Sequence, residues 1–384
     1  MSLSIICLES AYARALQDAN ASATLPLSWL GQAVRWLALS LCAAVAGQAL
    51  HAAEVPAGLF LGPMLVAIVF GVCGAGLRLH KNVFRFGQGC VGLLVAHTMT
   101  WSVLVSLASS WHLMLLATML TVCLSALVGL GTVRFGGISG NTAAWGTAPG
   151  AASAMVAMAE DYGADSRLVA TMQYVRVVCV VMVGALVSHL LGATAGVSQA
   201  ITSAPVMSHT DLALGLGMIL MGVAAGAFLP AGALLVPLLL GAALQLVGVL
   251  TITLPSELLA FGYAAIGCYI GLRFDRETLS YVWRRLPTMI IGALVLIMLC
   301  AALAWLLASL TGTDFLSMYL ATSPGGLDAM AIIAVETNSD TGLVLAMQTL
   351  RLFGVILTGA FFAKQIIRLT APPAPRPEER KRPA

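Results

Sequence analysis

Two glutamine–arginine pairs and one aspartate lie inside runs that are otherwise apolar: Gln173 with Arg176, Gln348 with Arg351, and Asp328. A charge on an apolar helix is costly and, as a rule, marks a site that binds something. These residues recur in register. Thr147 to Arg176 reads TAPGAASAMVAMAEDYGADSRLVATMQYVR, and 175 positions later Thr322 to Arg351 reads TSPGGLDAMAIIAVETNSDTGLVLAMQTLR. Twelve of the thirty positions are identical, where composition alone gives roughly three. Thr147/Thr322, Pro149/Pro324, Gly150/Gly325, Met155/Met330, Asp165/Asp340, Gln173/Gln348 and Arg176/Arg351 coincide. A repeat of so long a period means two copies of a half-molecule, not a solenoid of short units.

The chemistry open to this set is that of a polar site in an apolar setting. A Pro-Gly break frees backbone carbonyls, which suit cations, and exposes helix N-termini, which suit anions. Ser153 and Asp328 hold equivalent places in the first turn after each break. Asp328 is the sharpest single residue, as a solute or ion ligand or as a cap on its own half-helix. For Arg176 and Arg351 two readings stay open: clamps on the hairpin tips, or direct ligands for an anion. The candidate substrate- or ion-binding set is therefore Thr147, Pro149, Gly150, Ser153, Gln173 and Arg176, with Thr322, Pro324, Gly325, Asp328, Gln348 and Arg351. Asp161, Asp165, Glu336 and Asp340, at the hairpin mouths, read as helix caps and interfacial charges.

The elements that must position these residues follow from composition. With 60% hydrophobic and 9% charged residues in 384, and a mean hydropathy of +0.96, the chain reads as a polytopic all-α membrane protein. Apolar runs predict spans near 31–51, 57–77, 87–108, 112–133 and 167–191, then 211–228, 231–252, 257–272, 288–310 and 342–363, with broken runs at 141–160 and 314–336. Residues 1–29 read as a cytoplasmic arm, 30–192 as the first repeat, 193–209 as a linker, 210–365 as the second repeat and 366–384 as a disordered basic tail. Upstream, Pro56-Ala57-Gly58 resembles Pro230-Ala231-Gly232, Pro63 matches Pro237, and Gly92 matches Gly267.

Charge placement then bears on orientation. The loop 78–85 carries Arg78, His80, Lys81 and Arg85 while its counterpart 253–260 has no base; the loop 273–285 carries Arg273, Arg276, Arg284 and Arg285 while its counterpart 98–110 has none. Equivalent loops with opposite bias belong on opposite sides of a membrane, which makes the repeats inverted. Inversion needs an odd number of crossings per half, so the Pro-Gly runs are expected to be re-entrant hairpins; the alternative is that each broken run crosses as an unwound helix. That leaves ten full spans, about five per repeat. Both termini then fall in the cytoplasm, together with Arg134 and the basic tail (Lys364, Arg368, Arg380, Lys381, Arg382).

Other chemistries find little support in the residues. The eight cysteines (7, 42, 73, 90, 123, 179, 268, 300) show no C-x-x-C spacing, and the six histidines show no metal-ligand pairing. No G-x-x-x-x-G-K-[ST] is present. The expectation is a protein that is not an enzyme, has no catalytic residues, metal or cofactor, and makes no direct contact with nucleic acid.

The paired TAPG…SAM and TSPGG…AM runs, each followed by an acidic loop and a segment ending M-Q-x-x-R, resemble the bacterial membrane AbrB family, defined by its duplicated domain. The resemblance covers nearly all of residues 30–365. It implies an integral inner-membrane protein of a family labelled as transcriptional regulators or as an ammonia monooxygenase, and associated with regulation of gene expression. The name is shared with a small soluble DNA-binding protein to which this chain shows no likeness. The preferred expectation is secondary transport of a small polar or anionic solute, with Asp328 as a coupling site for H⁺ or Na⁺. The alternative is a membrane-embedded regulator acting through a cytoplasmic partner on the 78–85 and 273–285 loops or the tail. Monooxygenase chemistry ranks below both. The expected partners are the lipid bilayer, the solute or ion, such a cytoplasmic partner and a second copy of the chain.

Overall fold

A computed structural model describes residues 31–192, 209–229, 231–250, 252 and 254–370. The N-terminal arm, all but the last residue of the 193–209 linker, and the tail beyond 370 lie outside the described residues, as do some side chains, Ser153, Lys364 and Arg368 among them. Sixteen helices are described and, among the described residues, no strand. The first eight are α1 (Gly31–Ala52), α2 (Gly58–Val72), α3 (Lys81–Thr98), α4 (Trp101–Ser109), α5 (Trp111–Gly136), α6 (Gly140–Thr147), α7 (Ala152–Asp161) and α8 (Ser166–Leu190). The second eight are α9 (His209–Ala225), α10 (Gly232–Leu246), α11 (Ser256–Gly271), α12 (Arg276–Val282), α13 (Leu286–Thr311), α14 (Phe315–Thr322), α15 (Leu327–Glu336) and α16 (Thr341–Thr370). The two sets match element for element.

Helices α1, α5, α8 and α13 are long and apolar enough to cross a bilayer, and α11 with α12, bent by 49°, makes a fifth candidate. Helices α2, α9, α10 and the apolar part of α16 are shorter. The expectation of ten full spans therefore goes further than helix length and composition carry. Large side chains lie exposed along α1 (Val34, Leu37, Leu41, Val45) and α13 (Ile291, Val295, Met298). Such contiguous apolar faces suit lipid rather than water.

The span expected at 87–108 is corrected: helix α3 begins earlier, at Lys81, and stops at Thr98, and α4 is separate. The early start follows from a cap, because His80 Nδ1 accepts the Asn82 backbone N–H at 3.2 Å. The stop follows from Met99, whose extended backbone (ψ 115°) leaves the helix. Helix α12 likewise occupies part of the 273–285 stretch, capped by Asp275 on the Thr278 N–H at 2.7 Å.

Small residues set the close approaches. Helix α2 packs on α11, and α10 on α3. A Cβ on Gly92 would stand 2.2 Å from the Leu234 carbonyl oxygen, and one on Gly267 2.5 Å from that of Phe60. These are the same contact made twice across the two halves. Helices α3 and α11 also touch: a Cβ on Gly87 would lie 2.7 Å from Gly262 O, Phe86 meets Phe261 edge-on at 6.1 Å, and Phe84 stacks on Tyr269 at 4.1 Å. Gly87/Gly262 and Phe86/Phe261 are equivalent positions, so here the halves meet through their own counterparts. Ala57 and Ala231, before α2 and α10, both adopt left-handed backbone (φ 59° and 57°). The broken pairs α6–α7 and α14–α15 pack among α5, α8, α13 and α16, and α15 also reaches α3.

Candidate functional site

Proline explains the breaks and what surrounds them. In a continuous helix the residue 324 N–H would satisfy the Leu320 carbonyl, but Pro324 has none. Gln348 Nε2 replaces it, donating to Leu320 O at 2.8 Å and to Ser323 O at 3.0 Å. The first half repeats the device around Pro149: Gln173 Nε2 donates to Trp145 O at 2.8 Å and Ala148 O at 3.0 Å. The glutamine amides thus stand in for the missing backbone donors.

Each arginine completes its clamp. Arg176 Nη1 donates to Ala148 O at 2.7 Å, and Arg351 donates to Ser323 O and, through Nη2, to Gly325 O at 2.9 Å. Each also donates to its glutamine's Oε1. Of the two readings left open by the sequence, these bonds are the clamping one. Both guanidinia are 5% exposed, neither makes a salt bridge among the described residues, and each leaves its Nε without a partner. A void of about 20 Å³ beside Arg176, lined also by Thr132, Thr147 and Thr288, has room for one water.

Thr147 and Thr322 bond back into their own helices, to Ala143 O and Met318 O, each at 2.9 Å. Ser125 Oγ donates to Thr147 O, and the Thr322 hydroxyl reaches Cys300 O at 3.4 Å, so α5 and α13 support the tips at equivalent residues. Pro149, Pro324 and Gly325 are buried and Gly150 half-buried. Ser153 sits in the first turn of α7, with its side chain outside the described residues.

Asp328 is half-buried in the first turn of α15. Both its carboxylate oxygens accept from Gln88 Nε2, at 3.0 and 2.9 Å. Gln88 belongs to α3, 240 residues earlier, and sequence reasoning missed it; a lone glutamine in the run GQGC was the available signal. Tyr263 stands at the position equivalent to Gln88, and Ser153 at that equivalent to Asp328. The polar pair therefore joins the two halves once, and the equivalent pair of positions, Ser153 and Tyr263, does not repeat it.

At the mouths, Asp165 and Asp340 cap α8 and α16 as expected, on the N–H groups of Leu168 (3.0 Å) and Leu343 (2.9 Å). Asp161 is exposed. Glu336 corrects its assignment as an interfacial cap: it is 3% exposed, and its Oε2 accepts the backbone N–H of Ala57 at 2.6 Å. The left-handed turn at Ala57 delivers that amide to it. Tyr281 Oη donates to Asp165 Oδ2 at 2.6 Å, and Arg167 pairs with Glu277 at 3.2 Å, tying one mouth to α12. Thr98 and Thr341 share a 2.6 Å hydroxyl bond that ties the other to the end of α3. Among the described residues no group of His, Cys, Asp and Glu could hold a metal ion.

The fold and this site define a class: duplicated helical proteins with proline-broken helix pairs clamped by glutamine and arginine. Residues 59–367 match the family described as "Transition state regulatory protein AbrB", and the chain belongs to that family. It is 44% identical over 335 residues to the Escherichia coli (strain K12) protein named "Putative regulator AbrB", covering 85% of this chain and 94% of that one. It is 26% identical over 328 residues to "Uncharacterized protein YhjN" of Bacillus subtilis (strain 168), covering 78% of this chain and 85% of that one.

Proposed function

We propose that the chain is an inner-membrane secondary transporter of a small polar or anionic solute, built from two inverted repeats whose broken helices meet at a central site. The observation that carries this reading is Asp328: a carboxylate at the tip of a break, held by the Gln88 amide, with no salt bridge among the described residues. The two arginines spend their Nη donors on carbonyls at the breaks and on their glutamines' Oε1, which leaves Asp328 the group suited to take up H⁺ or Na⁺. Their positive charge beside the tips favours an anionic solute.

Several contacts support inversion. Phe84 of α3 faces Tyr269 of α11 while Gly87 faces its own counterpart Gly262, the pattern of an antiparallel pair about a two-fold axis. Helix α3 is about 27 Å long at 1.5 Å per residue. Arg78 near its start lies 3.9 Å from Asp275, beside the α12 segment that holds the first mouth, while Thr98 at its end holds the second. The basic loops 78–85 and 273–285 then share one face, the cytoplasmic one under the positive-inside rule.

The experiment is labelling of single cysteines at Ser153 and Asp328 in a cysteine-free background, in vesicles of known orientation. Labelling of the two from opposite sides is the expected result. Inaccessibility of both from either side refutes a solute route between the tips and leaves the regulator reading, suggested by the E. coli relative's name. That reading predicts transcript changes that survive Asp328→Asn.

A further inference from the structure

A second cavity lies away from the breaks, at the end of the molecule that carries both basic stretches. Its volume is about 770 Å³, in the range of small-molecule sites. Arg78, Lys81 and Arg85 line it from the α3 side, Arg167 from α8, and Arg273 from the end of α11. One carboxylate lines it, that of Asp275. Asp275 stands 3.9 Å from Arg78, and Arg167 is engaged by Glu277 outside the cavity. Lys81, Arg85 and Arg273 make no salt bridge among the described residues.

The floor is built, not incidental. The Arg273 guanidinium lies over both the Tyr269 ring (4.6 Å) and the Tyr174 ring (5.6 Å), donates to the Tyr269 hydroxyl, and Phe84 stacks beneath Tyr269. That stack fixes one cation while Lys81 and Arg85, on the adjacent turns of α3, stand across from it. Several cations from three segments converging on a concave, partly enclosed space form a receptor for a multiply charged anion, because fixed cations and low-dielectric walls reinforce one another's potential.

We infer that this cavity is a binding site for a phosphate-bearing anion of at least two negative charges, distinct from the breaks. The source of the phosphate is either a soluble phosphorylated molecule or the headgroup of an anionic lipid. Both halves of the chain line the site, so an occupant ties α3 and α8 of one to α11 and α12 of the other. The inference stands without the transport reading, since binding here needs neither Asp328 nor movement of the hairpins.

The test uses the full-length protein in phosphatidylcholine nanodiscs, titrated calorimetrically with inorganic pyrophosphate at low and high salt. Saturable binding is expected, weakened at least tenfold by Lys81→Gln with Arg85→Gln, and by Arg273→Gln. Arg134→Gln, an exposed change outside the cavity, should leave it unaltered. Lys81→Arg with Arg85→Lys keeps the charge and should keep the affinity, which separates loss of the site from loss of the fold. In nanodiscs containing phosphatidylglycerol, a weakened pyrophosphate signal with less anionic lipid retained by the double Gln variant assigns the site to a headgroup. An unchanged signal there assigns it to a soluble anion. Absence of saturable binding together with equal lipid retention overturns the inference, as does equal affinity in the wild type and the Gln variants.

Discussion

Replacing Gln348 by leucine tests the central physical claim, that a side-chain amide stands in for the N–H that Pro324 lacks. The substitution keeps the bulk and changes no charge. It removes the donors on Leu320 O and Ser323 O and the acceptor of Arg351 Nη2. Ser323 O keeps its bond from Arg351, but Leu320 O has no backbone replacement. Leaving one buried carbonyl unsatisfied costs about 1–3 kcal/mol. The two lesser losses add about 0.6 kcal/mol each, the average for side-chain hydrogen bonds in a membrane setting. The expected destabilisation is therefore about 2–4 kcal/mol. Equilibrium unfolding in mixed micelles, followed by circular dichroism, measures it. Gln173→Leu should cost a similar amount, because Gln173 makes the same bonds around Pro149. Gln32→Leu, at an exposed position on α1, should stay within about 0.5 kcal/mol. A change for Gln348→Leu no larger than that of Gln32→Leu would refute the reasoning.

Three further outcomes are expected. Gly92→Ala should destabilise by about 1–3 kcal/mol in the same assay, since its Cβ would meet backbone and not a side chain that can yield; Gly131→Ala, which meets nothing, should be neutral by comparison. Tyr281 donates a hydrogen bond to Asp165, and that bond together with the Asp165 charge holds its phenol above the ordinary tyrosine range. Because the folded value is raised, the contribution of this bond is complete below the unfolded value near 10 and fades as pH rises through the folded one. Ultraviolet titration should show one tyrosine fewer ionising at raised pH in Asp165→Asn than in the wild type, and an unchanged number would count against the contact. Under the transport reading, Asp328→Asn should abolish ion-coupled solute uptake in proteoliposomes while leaving the unfolding midpoint nearly unchanged, because an amide oxygen still accepts from Gln88. Uptake at the wild-type rate would remove Asp328 from the mechanism.

Most of the helix order was legible because apolar runs bounded by Gly, Pro and charge are local signals. The repeat located both breaks for the same reason, since Pro149-Gly150 and Pro324-Gly325 are local signals, whereas Pro63 and Pro237, each without a following Gly, sit inside α2 and α10. The roles of Gln173 and Gln348 were legible only as coincidence, and their bonds had to be seen before the glutamines could be matched to the missing proline donors. Three features were not legible. The stop at Thr98 has neither Gly nor Pro to mark it, the Gln88 partner of Asp328 is 240 residues distant, and Glu336 looks like a mouth residue until the Ala57 turn is in place. Each depends on contacts between the two halves, which a pattern read along one segment does not contain.

The meeting of Gly87 with Gly262 reaches beyond packing. A surface on which a residue touches its own counterpart is one through which a half-length chain could bind a second copy of itself. In such a pair every substitution would appear twice, and a carboxylate at one tip would force a carboxylate at the other. Joining the two copies in one chain removes that obligation. One tip can then carry Asp328 with Gln88 to hold it, while its twin keeps Ser153 and Tyr263. Duplication thus supplied the scaffold, and covalent linkage gave each half the freedom to take a different task.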